Sequence, residues 1–230
     1  MSEEHIVKSY EEELQYLNDS VIKMGSLTES QLYDSMDAVI KVDKDSIDKI
    51  IKNDEQINKF RTKIDTQIMT LLVKRAPMAI DLRSTIAALK ISQDLERIGD
   101  LAKSNAKKVK PLPLDLPEEL LGNLKRLGDL VVRQLTDVIN SYINRDYDKA
   151  KEVWVKDERV DDLTYLAMNS VIAFLSKDKK NLDFSTHLIF ATKNLERVGD
   201  HITNIAESTC YLIKGEYLKG HRPKGKETVV

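Results

Sequence analysis

Apolar residues recur every three or four positions along almost the whole chain. Leu14, Leu17, Val21, Met24 and Leu27 open the series, and Leu32, Met36, Val39 and Ile40 carry it on. That period marks an amphipathic helix, with one face for a core and the other for water. It predicts a first helix over 6–42, then a charged turn in which Asp and Ser offer N-caps. A second helix follows over 46–75 and stops before Pro77. A third runs over 79–110. Residues 110–117 then place Pro111, Pro113 and Pro117 within seven positions, which no helix carries. Pro117 suits the first position of a fourth helix, with Glu118 and Glu119 in its favourable first turn. That helix reaches Asn144, a fifth covers 146–180, and a sixth, capped by Ser185, reaches Lys214. No alternating run is long enough for a sheet, so the fold class is all-α.

The pattern is written twice. Asp94-Leu95-Glu96-Arg97-Ile98-Gly99-Asp100 returns one hundred positions on as Asn194-Leu195-Glu196-Arg197-Val198-Gly199-Asp200. Gly25, Gln31, Leu32 and Asp34 have counterparts 103 positions on in Gly128, Gln134, Leu135 and Asp137, and Asp54-Glu55 in Asp157-Glu158. A period of about 100 residues is too long for a solenoid unit and describes a duplicated domain. The expected architecture is two tandem antiparallel three-helix bundles related by internal duplication. Their bounds are 1–110 and 117–214, joined by a proline-rich linker over 111–116 and followed by a mobile basic tail over 215–230. Gly25 interrupts the first helix at a cost of about 1 kcal/mol relative to alanine. It is read as a close helix contact or a slight kink.

Composition narrows the function. The chain has 230 residues, 41% hydrophobic and 32% charged, long enough for one large domain or two smaller ones. A net charge of −2 argues against a nucleic-acid partner. Cys210 is the sole cysteine, which excludes an intrachain disulfide and suits a reducing cytoplasm. No apolar run approaches a membrane span, and the acidic, polar start is wrong for a signal peptide. A soluble, cytoplasmic protein is expected. No nucleophile stands with a base and there is no Gly-rich phosphate loop, so no enzyme chemistry is apparent.

The acidic positions carry the remaining chemistry. Glu96 and Asp100, like Glu196 and Asp200, stand four apart and share a helix face, where like charges repel. In the fifth predicted helix Asp157, with Asp161 beside it, lies on the stripe of Thr164, Met168, Val171 and Leu175. In the sixth, Leu188, Ala191, Thr192, Leu195, Gly199, Ile202 and Ala206 make the apolar stripe. Glu196, Asp200, Thr203 and Glu207 run along its edge. In the second, Asp54, Asn58, Arg61 and Asp65 continue the stripe of Ile47, Ile50 and Ile51 towards Ile68, Met69 and Leu72. Carboxylates in line with a core need a counter-charge, because an unpaired one costs several kcal/mol. Arg61 is the obvious candidate in the first half, whereas no basic residue lies on the second-half stripes. Two readings stay open: an ion-paired surface face, or a metal held by carboxylate oxygens, of the Mg, Mn, Fe or Ca kind. The di-iron bundle pattern, with its Glu-x-x-His motifs, is absent. His5, His187, His201 and His221 are scattered and are not read as obligatory ligands. Arg97 and Arg197 lie opposite the apolar stripe, either solvated or meeting another subunit or an acidic partner.

Both motif copies, together with His5, Tyr10-Glu11-Glu12-Glu13-Leu14, Met24-Gly25, Pro77-Met78-Ala79-Ile80-Asp81-Leu82-Arg83 and Tyr211-Leu212-Ile213-Lys214-Gly215, resemble the PhoU family of phosphate-uptake regulators. The resemblance covers nearly the whole chain. It implies two three-helix bundles, metal clusters on Glu/Asp-x-x-x-Asp motifs, and frequent homodimers. It also implies a cytoplasmic adaptor, not an enzyme, between the ATPase subunit of a phosphate ABC importer and a sensor histidine kinase. Such an adaptor negatively regulates phosphate uptake and the starvation response. Carried over residue by residue, the metal set is Asp157, Asp161, Glu196 and Asp200 in the second half. In the first it is Asp54, Asn58, Glu96 and Asp100, with Asn58 where an acid is expected. Asn204 keeps the asparagine position after the second motif; Ser104, with Asn105 beside it, stands there in the first. The metal implied is divalent or ferric: Fe, Zn, Mn or Mg. The second site is expected to be the stronger, with four carboxylates against three and an amide. A carboxylate-bridged metalloenzyme, redox or hydrolytic, and a metal-free helical scaffold are the alternatives.

Overall fold

In the computed structural model, residues 3–177 and 182–219 are described. They form α1 (Glu3–Lys41), α2 (Ser46–Arg75), α3 (Ala79–Lys108), α4 (Glu118–Asn144), α5 (Tyr147–Val155), α6 (Glu158–Leu175) and α7 (Leu182–Lys214), with no strand among the described residues. The apolar period dictates the packing. Leu17, Val21, Met24, Leu32 and Val39 of α1, Ile50, Ile57 and Ile64 of α2, and Ile91, Leu95 and Ile98 of α3 are all buried in one core. Burying each such side chain contributes about 2 kcal/mol. α1, α2 and α3 pack on one another, as do α4, the α5–α6 pair and α7, so the duplicated three-helix bundle is realised in both halves.

One helix expected to be continuous is broken. The fifth predicted helix divides at Lys156 and Asp157 into α5 and α6. Neither glycine nor proline stands there, so the periodicity runs straight through the break. The cause lies on another helix. Gln134 of α4 donates through Nε2 to the Lys156 carbonyl at 3.2 Å, and the Val160 N–H bonds the Asp157 carbonyl three residues back at 2.8 Å. A side chain that engages a ladder carbonyl is a recognised source of helix breaks. In the first half the corresponding position, Asp54, is mid-helix in α2.

Other boundaries also shift. α7 begins at Leu182 rather than at Ser185, which is buried within it. α6 ends at Leu175, and the expected end of the fifth helix, further on at residue 180, lies outside the described residues. So does most of the tail expected over 215–230, of which only 215–219 are described. Those five fold back: Gly215 has φ 74°, Tyr217 stacks on Tyr211 with centroids 4.6 Å apart, and Leu218 packs on the core. Met69, placed on the inner stripe of α2, is 62% exposed.

The halves meet through α1 against α4 and α3 against α7. Gly25 is a close contact, and so is its counterpart Gly128. A Cβ on Gly25 would lie 3.2 Å from Ile139 Cδ1, and one on Gly128 2.5 Å from Met36 Cε. Between α3 and α7, equivalent positions exchange partners. Asn194 donates to Asn105 Oδ1 at 2.8 Å and to Ser104 Oγ at 3.2 Å. Asp94 Oδ1 accepts from Asn204 at 3.2 Å and lies 2.9 Å from His201 Nδ1. Positions 94 and 194 thus meet 204 and 104, as an approximate two-fold between the duplicated motifs requires. No described helix is long and apolar enough to cross a membrane.

Candidate metal centre

The glycine of each motif copy decides where one acid goes. A Cβ on Gly99 would lie 3.0 Å from Ile57 Cδ1 and 3.6 Å from Asp54 Oδ1. One on Gly199 would lie 3.0 Å from Val160 Cγ1 and 3.4 Å from Asp157 Oδ1. The missing side chain therefore lets the neighbouring helix approach until an aspartate presses against the motif backbone. Asp54 is 3% exposed and Asp157 1%. Glu96, Asp100, Asp161, Glu196 and Asp200 are half-buried along the seam, while Asn58 is exposed.

In the first half, Asp54 is held from three sides. Gln31 donates to its Oδ1 at 3.1 Å and to the Gly99 carbonyl at 2.9 Å, tying the acid to the motif glycine. Asn58 donates to Oδ2 at 3.2 Å. Lys103 Nζ lies 2.5 Å from Asp54 Oδ2 and 2.7 Å from Asp100 Oδ1, bridging α2 and α3 with charge-assisted bonds. Burial alone would lower the Lys103 pKa, but the hydrogen bonds to Asp100 and Asp54 outweigh it and raise it above the ordinary lysine value. The counter-ion is therefore Lys103 and not Arg61, which pairs with Asp65 one turn away. Burial holds the Arg61 guanidinium below its usual pKa, with Glu96 pulling the other way. Arg97 lies 3.6 Å from Glu96 and 3.8 Å from Asp100, but it is 63% exposed, where ion pairs are weak. A sequence signal for Lys103 existed: it stands three residues after Asp100, on the same helix face.

The second half repeats the frame with different chemistry. Thr203 occupies the position of Lys103, and its hydroxyl donates to the Asp200 carbonyl at 2.7 Å. Gln134, the counterpart of Gln31, serves the Lys156 carbonyl beside Asp157. Asp161 stands where the first half has Asn58. A cation does approach the stripe edge from outside, since Lys193 Nζ lies 2.5 Å from Glu196 Oε2. Further along, Trp154 of α5 donates to Glu207 at 2.8 Å.

The donor sets fit a metal unequally. In the first half an ammonium already stands between two of the three carboxylates. In the second, Asp157, Asp161, Glu196 and Asp200 are all carboxylates, hard oxygen groups of the kind that Mg, Mn and ferric iron take. Among the described residues, no three His, Cys, Asp or Glu side chains gather as a group able to hold a metal ion. Four surface clefts of about 360 to 580 Å³ lie away from both acidic sets.

The fold and the sequence recur in known proteins. The family model for the PhoU domain matches residues 21–109 and again residues 124–209, one match for each half. The chain is 39% identical over 222 residues to the phosphate-specific transport system accessory protein PhoU homolog of Caulobacter vibrioides, covering 96% of each chain. It is 35% identical to the protein of the same description from Rhizobium meliloti, over 99% of this chain and 97% of that one. The crystal structure of PhoU from Pseudomonas aeruginosa superposes with a TM-score of 0.83 at 30% identity, over 90% of this chain and all of that one. The phosphate transport system regulatory protein PhoU from Streptococcus pneumoniae gives the same TM-score and identity over 91% of this chain and 99% of that one. With both halves matched and relatives aligned end to end, the chain belongs to the PhoU family.

Proposed function

We propose that this protein is a non-enzymatic regulator of phosphate transport, acting in the cytoplasm as an adaptor. In this reading it links the ATPase subunit of a phosphate ABC importer to a sensor histidine kinase and restrains both uptake and the starvation response when phosphate is ample. The observation that carries the reading is the duplicated Leu-Glu-Arg-x-Gly-Asp motif, with its buried aspartate beneath the glycine, in a chain that aligns end to end with transport-system accessory proteins. The relatives' descriptions are those of accessory and regulatory proteins, which favours an adaptor over a catalyst. A homodimer is part of the same reading.

Asp157, Asp161, Glu196 and Asp200 would hold a divalent or ferric ion between α6 and α7. The protein's own contribution is Gly199, which admits Asp157 to the seam.

The test is made in cells. Deleting the gene in its native host should derepress a phosphate-starvation reporter in phosphate-rich medium, and the intact chain should restore repression. Unchanged reporter output and unchanged phosphate uptake in the deletion would refute the regulatory reading. Turnover of a phosphoester or of oxygen by the purified protein, lost on substituting the four second-half acids, would replace it with the metalloenzyme.

A further inference from the structure

We propose that Lys103 is the built-in cation of the first half, its ammonium taking the place of a metal, so that this half binds none. The inference rests in part on the second-half metal reading but is separable from it. Its basis is a substitution within the duplication: the frame is kept while the charge partner changes. Asp54 is pressed under Gly99 as Asp157 is under Gly199. Yet position 103 is a lysine 2.5 Å from Asp54 and 2.7 Å from Asp100, and position 203 is a buried threonine bonded to its own helix backbone.

Two further features point the same way. Both Asp54 oxygens are engaged, Oδ1 by Gln31 and Oδ2 by Asn58 and Lys103, so a metal entering there would have to displace donors that already satisfy the acid. Asn58 also removes one carboxylate from the set. A lysine in contact with two of three acids and a metal at the same acids are mutually exclusive, because two cations at that range repel in a partly buried seam. The duplicated protein is thus chemically asymmetric. Its first half is neutralised by Lys103, independently of metal supply.

The probe is Mn(II), measured by elemental analysis after dialysis of the full chain, with thermal unfolding in EDTA and in excess Mn(II). The chain carrying both Asp157→Asn and Asp200→Asn keeps Lys103 and should retain no stoichiometric Mn(II). Lys103→Thr, combined with Asn58→Asp to copy the second-half donors, should gain one Mn(II) per chain over the unsubstituted protein. In EDTA it should melt about 5 °C lower, and Mn(II) should recover most of that loss. Stoichiometric Mn(II) in the Asp157→Asn, Asp200→Asn chain overturns the proposal, and so does a folded Lys103→Thr, Asn58→Asp chain that gains no Mn(II). Should the unsubstituted chain bind no Mn(II) while the Lys103 variant gains it, the second-half reading fails and the role of Lys103 stands.

Discussion

The two halves bury the same aspartate in the same way and surround it differently. Asp54 and Asp157 lie beneath equivalent glycines, each within 4 Å of where that glycine's Cβ would be. Around Asp54 the seam is closed by Gln31, Asn58 and Lys103. At the equivalent positions the second half has Gln134 bonded to the backbone, Asp161 and Thr203. Backbone packing is therefore kept between the halves, while the groups around the acid differ. The glycine is fixed by helix-to-helix distance, which both bundles need. The partners of the buried acid are fixed only by the requirement that its charge be answered, which in the first half a lysine does.

The largest difference should appear on neutralising the buried acids. Asp54→Asn removes the charge that Lys103 faces across the seam and should cost about 2 kcal/mol, a figure reduced because Lys103 is partly exposed and keeps Asp100. Asp157→Asn in EDTA should cost less, about 1 kcal/mol, since position 203 is a threonine and offers no ammonium like that of Lys103. Urea unfolding of the two variants decides the matter, and equal losses would break the comparison.

The motif glycines should differ next. Alanine gains about 1 kcal/mol of helix propensity over glycine, set against about 1–3 kcal/mol for overpacking. At Gly199 the new methyl meets Val160 Cγ1, a β-branched group with little freedom, and approaches Asp157 at 3.4 Å. At Gly99 it meets Ile57 Cδ1, the end of a longer side chain that can swing. Gly199→Ala should therefore lose about 1.5 kcal/mol and Gly99→Ala about 0.5 kcal/mol by the same measurement. The reverse order would mean that the α2–α3 seam is the tighter one.

A smaller contrast lies at the junction of the halves. Asn194 is 8% exposed and satisfies the fully buried Asn105, so Asn194→Ala should cost about 1.5 kcal/mol. Asn204 is exposed, and its loss leaves Asp94 with His201, so Asn204→Ala should stay within about 0.5 kcal/mol. Thermal unfolding of both chains separates the cases.

The smallest effect is on reactivity and serves as a reporter. Burial, with Glu207 adding to it, pushes the Cys210 thiol up to about 11, so little thiolate is present at mildly alkaline pH. Iodoacetamide should label it only as the second half opens, and Mn(II) should slow that labelling if the acids of α6 and α7 bind it. Labelling at the rate of an exposed cysteine would show that the α5–α7 contact is loose.

Much of this was legible in residue order because it is local. A period of three to four positions marks a helix wherever it occurs, and the boundaries of α2 and the course of α3 followed from Pro77 and the turn residues before Ser46. The duplication followed from repeated strings, and the glycine-before-aspartate spacing singled out the acids that line the seam. Tertiary structure alone decided what depends on distances between helices. The spacing of Lys103 from Asp100 is legible on one helix; only the approach of α2 brings Asp54 to 2.5 Å from it. The break at Lys156 has no local cause, because the group that engages its carbonyl is Gln134, 22 residues away. Met69 carries an apolar side chain on what reads as the inner stripe, yet no neighbouring helix reaches far enough to cover it, and it stays exposed. Periodicity reports which face a helix prefers to bury. It cannot report which neighbour arrives, or which of several charges within reach will meet a buried acid.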